Sequence, residues 1–277
     1  MSDKLNKNPY LDPSGQPTMK KSVVVFLDIL GYSDLIKYPR TDKENAQLLT
    51  HLHNALTESR RNIDPGETSF NHDEKDLYAM RSFTDNIVIG YPIRGDAEAE
   101  LGSIFIKLPY FQMDMALNGY FIRGGISIGN LYIDDLTVFG PGLIEAYEGE
   151  VNLARDPRII LTETSLAAVD EHLSYYGRRN HAPQNYSLLK DSDGQVFINY
   201  LETLISEEGG YFSDELLKHK ENTEIKLSHF HKNPKIWSKY FWVANYHNFF
   251  CETYLDIDKT YKINLDDFSP KPTRLIE

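Results

Sequence analysis

VVVFLDILGYS, at residues 23–33, decides the fold of this chain. Its first four residues are apolar and three of them are β-branched, which predicts a buried strand. Asp28 follows where this strand should emerge, and a helical pattern begins at Asp34, after Gly31. An acid at the end of a strand can hold a hard divalent cation, and the N–H groups of a strand-to-helix turn can hold anionic oxygens. The alternative is that Asp28 only caps the helix.

The composition narrows the classes of function. The chain has 277 residues, of which 41% are hydrophobic, enough for one large domain or one domain with an appendage. A formal net charge of −12 argues against a nucleic-acid partner, because general nucleic-acid binders need basic phosphate contacts. The single cysteine, Cys251, excludes a disulfide framework and a zinc site built on cysteines. The polar N-terminus and short apolar runs predict a cytoplasmic protein with no signal peptide, membrane span or membrane partner.

The order of the predicted elements is typical of an α+β fold. Hairpins alternate with crossover helices, which indicates an antiparallel sheet with helices and fits a ferredoxin-like β-α-β-β-α-β core. We expect this core over residues 21–202, after a flexible N-terminal arm at residues 1–20 that is polar and carries several prolines. Residues 203–277 carry helical patterns with little strand signal, so they predict a C-terminal helical appendage. The apolar stripe within residues 237–250 is more typical of packing than of a ligand site.

A second acid is predicted to lie at the tip of a hairpin. Residues 77–91 have apolar flanks and a polar middle, which predicts two strands joined by a tight turn at residues 84–86. Asp85 would then come close to Asp28, and a divalent cation would relieve the repulsion between the two carboxylates. Such a pair beside a phosphate-binding turn favours nucleoside triphosphate chemistry. The alternative is that Asp85 is only a good turn residue.

Four segments in order resemble the class III nucleotidyl cyclase catalytic domain. They are FLDILGYS at 26–33, SFTDN at 82–86, RGGISIG at 123–129 and VFG at 138–140. Their order and spacing match over roughly residues 22–200. The resemblance implies that residues 21–202 form a nucleotidyl cyclase domain, a phosphorus–oxygen lyase that works as a homodimer with its active sites at the subunit interface. Its product would be a 3′,5′-cyclic nucleotide, released with pyrophosphate.

The resemblance also implies roles for individual residues. Asp28 and Asp85 would be the catalytic acids and would bind two Mn²⁺ or Mg²⁺ ions in each active site, helped by the carbonyl of Ile29. The turn at residues 29–33 would hold the triphosphate. Arg123 has the alternative of pairing with one of the many acids. The full set of expected nucleotide-binding residues is Phe26, Leu30, Gly31, Tyr32, Ser33, Arg81, Arg123, Thr137 and Lys190.

The base-reading positions depart from the adenylate cyclase pattern. Arg81 stands where those enzymes have a lysine, and Thr137 stands where they have an aspartate. A guanidinium offers only donors, in a fixed fork, so it suits the O2 or O4 carbonyl of a pyrimidine and cannot accept from an exocyclic amine. UTP is therefore favoured slightly over CTP. Alternatively, Arg81 has a structural role.

The transition-state positions depart as well. By ungapped count, the asparagine and arginine of the family fall on Ile144 and Glu148, which cannot do their chemistry. Asn152 and Arg155 form a similar string further on, with a spacing that is short by one residue.

This divergence, with GLIEAYE at residues 142–148, resembles the pyrimidine cyclases of bacterial Pycsar antiphage systems. That resemblance implies synthesis of cyclic UMP or cyclic CMP during infection, and the product would act on a separate effector that responds to cyclic nucleotides. Two alternatives stay open. One is a catalytically inactive cyclase-like module that binds a nucleotide or a protein. The other is a diguanylate cyclase type of enzyme, against which the lack of a Gly-Gly-Asp/Glu-Glu-Phe turn argues.

Overall fold

The computed structural model describes residues 8–63, 78–178, 182–206, 208–255 and 260–269. Within them the chain forms a mixed, mostly antiparallel sheet with helices, which confirms the predicted α+β class. The strands of this part of the chain are β1 (Lys20–Ile29), β2 (Ala79–Phe83), β3 (Asn86–Pro92), β4 (Ile122–Ile133), β5 (Val138–Phe139), β6 (Ile159–Leu161), β7 (Leu188–Lys190) and β8 (Val196–Ile198). The helices are α1 (Tyr32–Lys37), α2 (Asp42–Arg60), α3 (Glu98–Leu117), α4 (Pro141–Glu148), α5 (Glu163–Leu173), α6 (Gln184–Ser187), α7 (Ser213–His229) and α8 (Pro234–Phe250).

In the main sheet β1 lies between β3 and β4, which are the longest of the other described strands. The strand order is β2-β3-β1-β4-β6-β8-β7, and the short β5 pairs with β4 as a hairpin. All pairs are antiparallel except β4 with β6, so the expected antiparallel sheet is only mostly realised. The connection from β4 to β6 includes α4, and a crossover of this kind permits parallel pairing.

The predicted central strand is buried on both faces, which explains its unbroken apolar run. Val23, Val25 and Leu27 belong to the main core, together with residues of α2, α3, α7 and α8. Val24 and Phe26 point to the opposite face, where a smaller apolar cluster lies between the sheet and α4. Because side chains alternate along a strand, that opposite face also receives Asp28.

The two C-terminal helices pack into the same core as β1. Leu216 of α7 and Tyr240 of α8 are buried in it. Between these helices lies a buried chain of polar groups, in which the rings of His219 and His247 stack with their Nδ1 atoms 3.0 Å apart. The hydroxyl of Tyr200 lies 2.9 Å from Nε2 of His219. Burial lowers the pKa of both histidines, that of His247 to about 4, so both are neutral at pH 7.

The expected N-terminal arm packs against the sheet from residue 8 onward. Tyr10 is completely buried in the smaller apolar cluster, and its hydroxyl donates a hydrogen bond of 2.8 Å to Ser22 Oγ. Asn8 Nδ2 donates to the carbonyl of Ile133 at 2.8 Å. Residues 1–7 of the expected arm lie outside the described residues. Among the helices that the structure describes, none combines the length and the apolar character needed to cross a membrane.

Candidate functional site

The structure brings Asp28 and Asp85 together at one end of the sheet. Asp28 pairs in register with Asn86 on one side and Arg123 on the other. Asp85 lies in the tight turn between β2 and β3, where Thr84 Oγ1 donates to its Oδ1 at 2.8 Å. Thr84 has a φ of 57°, the left-handed conformation that tight turns use. Burial raises the pKa of Asp28, the guanidinium of Arg123 lowers it, and the nearby carboxyl group of Asp85 adds a smaller upward contribution.

Arg123 holds two acids in this cluster. Its Nε donates to Asp28 Oδ2 at 2.9 Å, and its Nη2 lies 2.7 Å from Glu150 Oε1. Glu150 is only 2% exposed, and burial raises its pKa to about 7, with smaller contributions from Asp28 and Asp85. Arg123 therefore joins Asp28 to Glu150, and Asp85 lies beside this pair.

Two residues that sequence reasoning missed complete the surroundings of the site. Glu150 lies in a single π-helical turn, Gly149–Leu153, which follows α4 and is the kind of local irregularity often found at functional sites. Lys239 of α8 interacts electrostatically with Arg123, Glu150 and Asp156, and its pKa is lowered, first by burial and then by Arg123. The C-terminal appendage thus supplies a cation to the site. The sequence carried no local signal for either residue.

Gly125 explains how the π-helical turn reaches the site. A Cβ atom on Gly125 would lie 2.3 Å from the carbonyl oxygen of Ala146 and 3.2 Å from the backbone nitrogen of Glu150. Only a glycine permits this approach of α4 to β4, and a glycine within a strand often marks such a close backbone approach.

The metal and triphosphate residues are positioned by the end of β1. Asp28 and Asp85 can supply carboxylate oxygens to a divalent cation, and Ile29 lies next to Asp28 at the end of the strand. Within the described residues no group of three or more His, Cys, Asp or Glu side chains could hold a metal. The two carboxylates of Asp28 and Asp85 nevertheless fit Mg²⁺ or Mn²⁺, because these ions commonly bind to one or two carboxylates and complete their coordination shell with water and substrate phosphates.

The turn after β1 offers fewer free amides than expected. Gly31 has a φ of 76°, so the chain reverses sharply before α1. Leu30 is buried and its N–H already donates to the carbonyl of Phe121 at 2.8 Å, so that amide is not free to bind a phosphate. Tyr32 and Ser33 form the first turn of α1, where Tyr32 is partly exposed and Ser33 is exposed. Phe26 lies on the same face of the sheet as Asp28.

The two expected base-reading residues meet at the Asp134–Asp135 turn. Arg81 donates from Nε to the carbonyl of Asp134 and pairs through Nη2 with the carboxylate of Asp135. Thr137 donates its N–H to Asp134 Oδ1 at 2.7 Å. This turn is therefore held by Arg81. Base recognition by Arg81 would require the guanidinium to share its donors or to leave Asp135.

Lys190 is not brought to this cluster within one chain. It ends β7, which lies four strands from β1 and so about 19 Å away at ~4.8 Å per strand. Arg155 is 75% exposed and pairs with Asp156 at 3.3 Å, whereas Ile144 is exposed on α4. A single chain does not bring Lys190 to Asp28 and Asp85, because β4, β6 and β8 separate them, and its role at a subunit interface stays a prediction.

In comparisons with known proteins, no family model matches this chain and no curated protein matches it. The geometry of the site is therefore the basis for assigning a function.

Proposed function

We propose that this protein is a metal-dependent nucleotidyl cyclase that converts a pyrimidine nucleoside triphosphate to its 3′,5′-cyclic monophosphate and pyrophosphate. UTP is the favoured substrate and CTP the next. The observation that supports this most is the meeting of Asp28 and Asp85, which are distant in sequence, beside Arg123 and the buried Glu150. The sheet topology is compatible with the ferredoxin-like arrangement of class III cyclases.

In the proposed reaction the 3′-oxygen attacks the α-phosphorus in line, and the bond from that phosphorus to the bridging oxygen of pyrophosphate breaks. Divalent cations bound at Asp28 and Asp85 would lower the pKa of the 3′-hydroxyl and neutralise phosphate charge. Asp28 can turn toward a cation without leaving Arg123 unpaired, because the guanidinium keeps Glu150 as its second partner at 2.7 Å. Lys239 adds positive charge near the same acids, which favours the approach of a triphosphate.

Base selection is proposed to depend on Arg81 and Thr137 at the Asp134–Asp135 turn. Arg81 is 38% exposed at its side chain, so a base can reach it. Its donors match the O4 and O2 carbonyls of uracil, whereas cytosine shares only the O2 carbonyl. The exposed partner Asp135 can be solvated when a base displaces it, which keeps the cost of the exchange small.

Exposed apolar side chains around this face of the sheet support a homodimer whose active sites lie at the interface. A monomer that leaves several large apolar side chains in contact with water commonly uses them for association. Those on β2, β5, α4 and the intervening turn are Phe83 at 81% exposure, Leu136 at 93%, Phe139 at 62% and Ile144 at 54%.

We further propose that the cyclase is cytoplasmic and makes cyclic UMP or cyclic CMP as a second messenger in antiphage defence, with a separate effector that responds to it. The resemblance to the pyrimidine cyclases of Pycsar systems supports this role.

The test is to incubate the protein with ATP, GTP, CTP or UTP and Mn²⁺ and to separate the products by mass. We expect cyclic UMP from UTP, less product from CTP and little from the purines. Asp28→Asn and Asp85→Asn should each abolish the product, whereas the exposed Asp214→Asn on α7 should not. Full activity of either site variant would refute the proposal.

A second candidate is a catalytically inactive cyclase-like module that binds a nucleotide or a protein. It is favoured by Ile144 and Glu148, which stand on α4 where the related enzymes have their transition-state residues. Saturable UTP binding without any cyclic product, over a range of Mn²⁺ concentrations, would support this candidate and exclude the enzyme.

A further inference from the structure

A large cavity lies between the β7–β8 hairpin and α8, apart from the Asp28 cluster. Its volume is about 630 Å³, which is within the usual range for small-molecule sites. Aromatic rings from both elements form its wall: Phe197 from β8, and Phe241, Trp242, Tyr246 and Phe249 from α8. The sequence predicted that this stripe of α8 only packs, but part of it lines an open space.

The aromatic wall is held in a fixed arrangement. Trp242 and Tyr246 stack with ring centroids 5.4 Å apart, and the ring of Phe197 meets both of them edge-on. The indole nitrogen of Trp242 donates a hydrogen bond of 2.7 Å to Asp191 Oδ2. Because this hydrogen bond fixes the indole ring, the aromatic wall would need little rearrangement to bind a planar ligand, which lowers the cost of binding.

The charged groups around the cavity leave positive charge at its mouth. Asp191 accepts from the fully buried Arg158, and Asp156 pairs with Arg155, so both acids of the lining are already neutralised. Lys190 is exposed on the rim, and Arg155 is 75% exposed.

A buried guanidinium lies behind the wall and is paired with two acids, Asp191 and Asp193. The guanidinium of Arg158 lies 5.5 Å from the ring centre of Trp242 and 5.9 Å from that of Phe197. Within the described residues its buried Nε has no hydrogen-bond partner. Arg158 therefore fixes the wall, and Lys190 and Arg155 at the mouth of the cavity are the cations that can meet an anionic ligand.

We propose that this cavity binds a small planar aromatic anion of nucleotide size or less. The ring would lie against Trp242 and Phe241, and the anionic group would be directed to Arg155 and Lys190. The proposal does not depend on Asp28 and Asp85, which lie on other strands, but it shares Lys190 with the expected nucleotide-binding residues of the cyclase.

The experiment is isothermal titration of the full chain with matched pairs of probes. The pairs are 2-naphthoate with 2-naphthamide, and uridine 5′-monophosphate with uridine, and inorganic phosphate serves as the control for charge alone. We expect at least one anionic probe to bind at least ten times more tightly than its neutral partner and than phosphate. The tighter of the two anions tells whether a carboxylate or a phosphate is preferred. Equal affinity within both pairs, or no binding at 5 mM, would overturn the proposal.

Variants place the binding in the cavity. Ser238→Trp fills the space from an exposed position on the lining and should weaken the bound probe at least tenfold. Phe249→Ala should weaken it several-fold, whereas Phe212→Ala, at a phenylalanine of similar exposure (47% against 44%) outside the lining, should not. Unchanged binding to a folded Ser238→Trp protein would refute the assignment.

The double variant Asp28→Asn/Asp85→Asn should bind the probe as the unmodified chain does. Loss of the probe in this variant alone would show that the anion binds at the cyclase site instead, and so would overturn the cavity proposal. If the unmodified protein binds the probe but has no cyclase activity, the proposed function is refuted and the cavity proposal is not.

Discussion

Replacing Arg123 by leucine is the sharpest test of how the cluster is balanced. The substitution removes the only guanidinium within contact distance of both Asp28 and Glu150 among the described residues. Side-chain exposure is 15% for Asp28 and 3% for Glu150, so neither carboxylate can recover full hydration. Removing one partner of a buried ion pair typically costs about 3–5 kcal/mol, because a charge is left without compensation.

The cost must depend on pH, and its sign can be worked out. The pKa of Glu150 is about 7 in the folded protein and 4.5 as its ordinary value. An acid whose pKa is raised by folding stabilises the folded state at low pH, and that contribution is lost as the pH rises from 4.5 through 7. At pH 5.5 Glu150 is mostly neutral and needs little from Arg123. At pH 8 it is ionised and depends on Arg123.

We therefore expect Arg123→Leu to lower the free energy of unfolding by about 3 kcal/mol at pH 8 and by about half as much at pH 5.5. Urea denaturation followed by circular dichroism at the two pH values measures both losses. Lys218→Leu is the control, because Lys218 and its partner Glu221 are 50% and 60% exposed, which predicts a loss below about 1 kcal/mol at either pH. A loss that is the same at both pH values, or below about 1 kcal/mol at pH 8, would refute this account of the cluster.

Three further predictions follow from the same contacts. The buried His219 and His247 have depressed pKa values, so the free energy of unfolding should fall as the pH decreases from 6.5 toward 4, by about 3 kcal/mol for His247 alone. In His247→Gln this fall should be smaller. The same dependence of the free energy of unfolding on pH in the variant and in the unmodified protein would contradict this. Gly125→Ala should destabilise the fold by about 3 kcal/mol or more, because its Cβ would overlap the carbonyl oxygen of Ala146. Gly102→Ala on α3 is the control, since a Cβ there would have no neighbour within 4 Å, and it should not destabilise the fold. Thermal melts of the two variants compare the losses directly. Phe83→Asp should convert a dimer to a monomer in analytical ultracentrifugation and lower cyclase activity in parallel; a dimer that persists would remove this face from the interface.

Local sequence determines much of the fold. The β-branched run before Asp28 has apolar side chains on both faces of the strand, so both faces must be buried, and the run forms the central strand β1. The turn at Asp85 was predictable because polar turn residues interrupt two apolar flanks. Gly125 marked a close approach of another backbone, and α4 is the element that approaches.

The remaining features depend on contacts between distant residues. Glu150 is one acid among 41 Asp and Glu residues, and only the packing of a π-helical turn against β4 distinguishes it. Lys239 reaches the cluster because α8 folds back onto the core. Tyr10 lies in a polar, proline-containing segment, and nothing local indicates that the sheet buries it.

The central claim is that Asp28 and Asp85 share divalent cations beneath a triphosphate. Binding of Mn²⁺ followed by electron paramagnetic resonance, with and without a non-cyclisable UTP analogue, measures this directly. The account predicts that Mn²⁺ binds the unmodified protein, that the analogue tightens binding, and that Asp28→Asn and Asp85→Asn each weaken it at least tenfold. Mn²⁺ affinity that is the same in both variants as in the unmodified protein would contradict it.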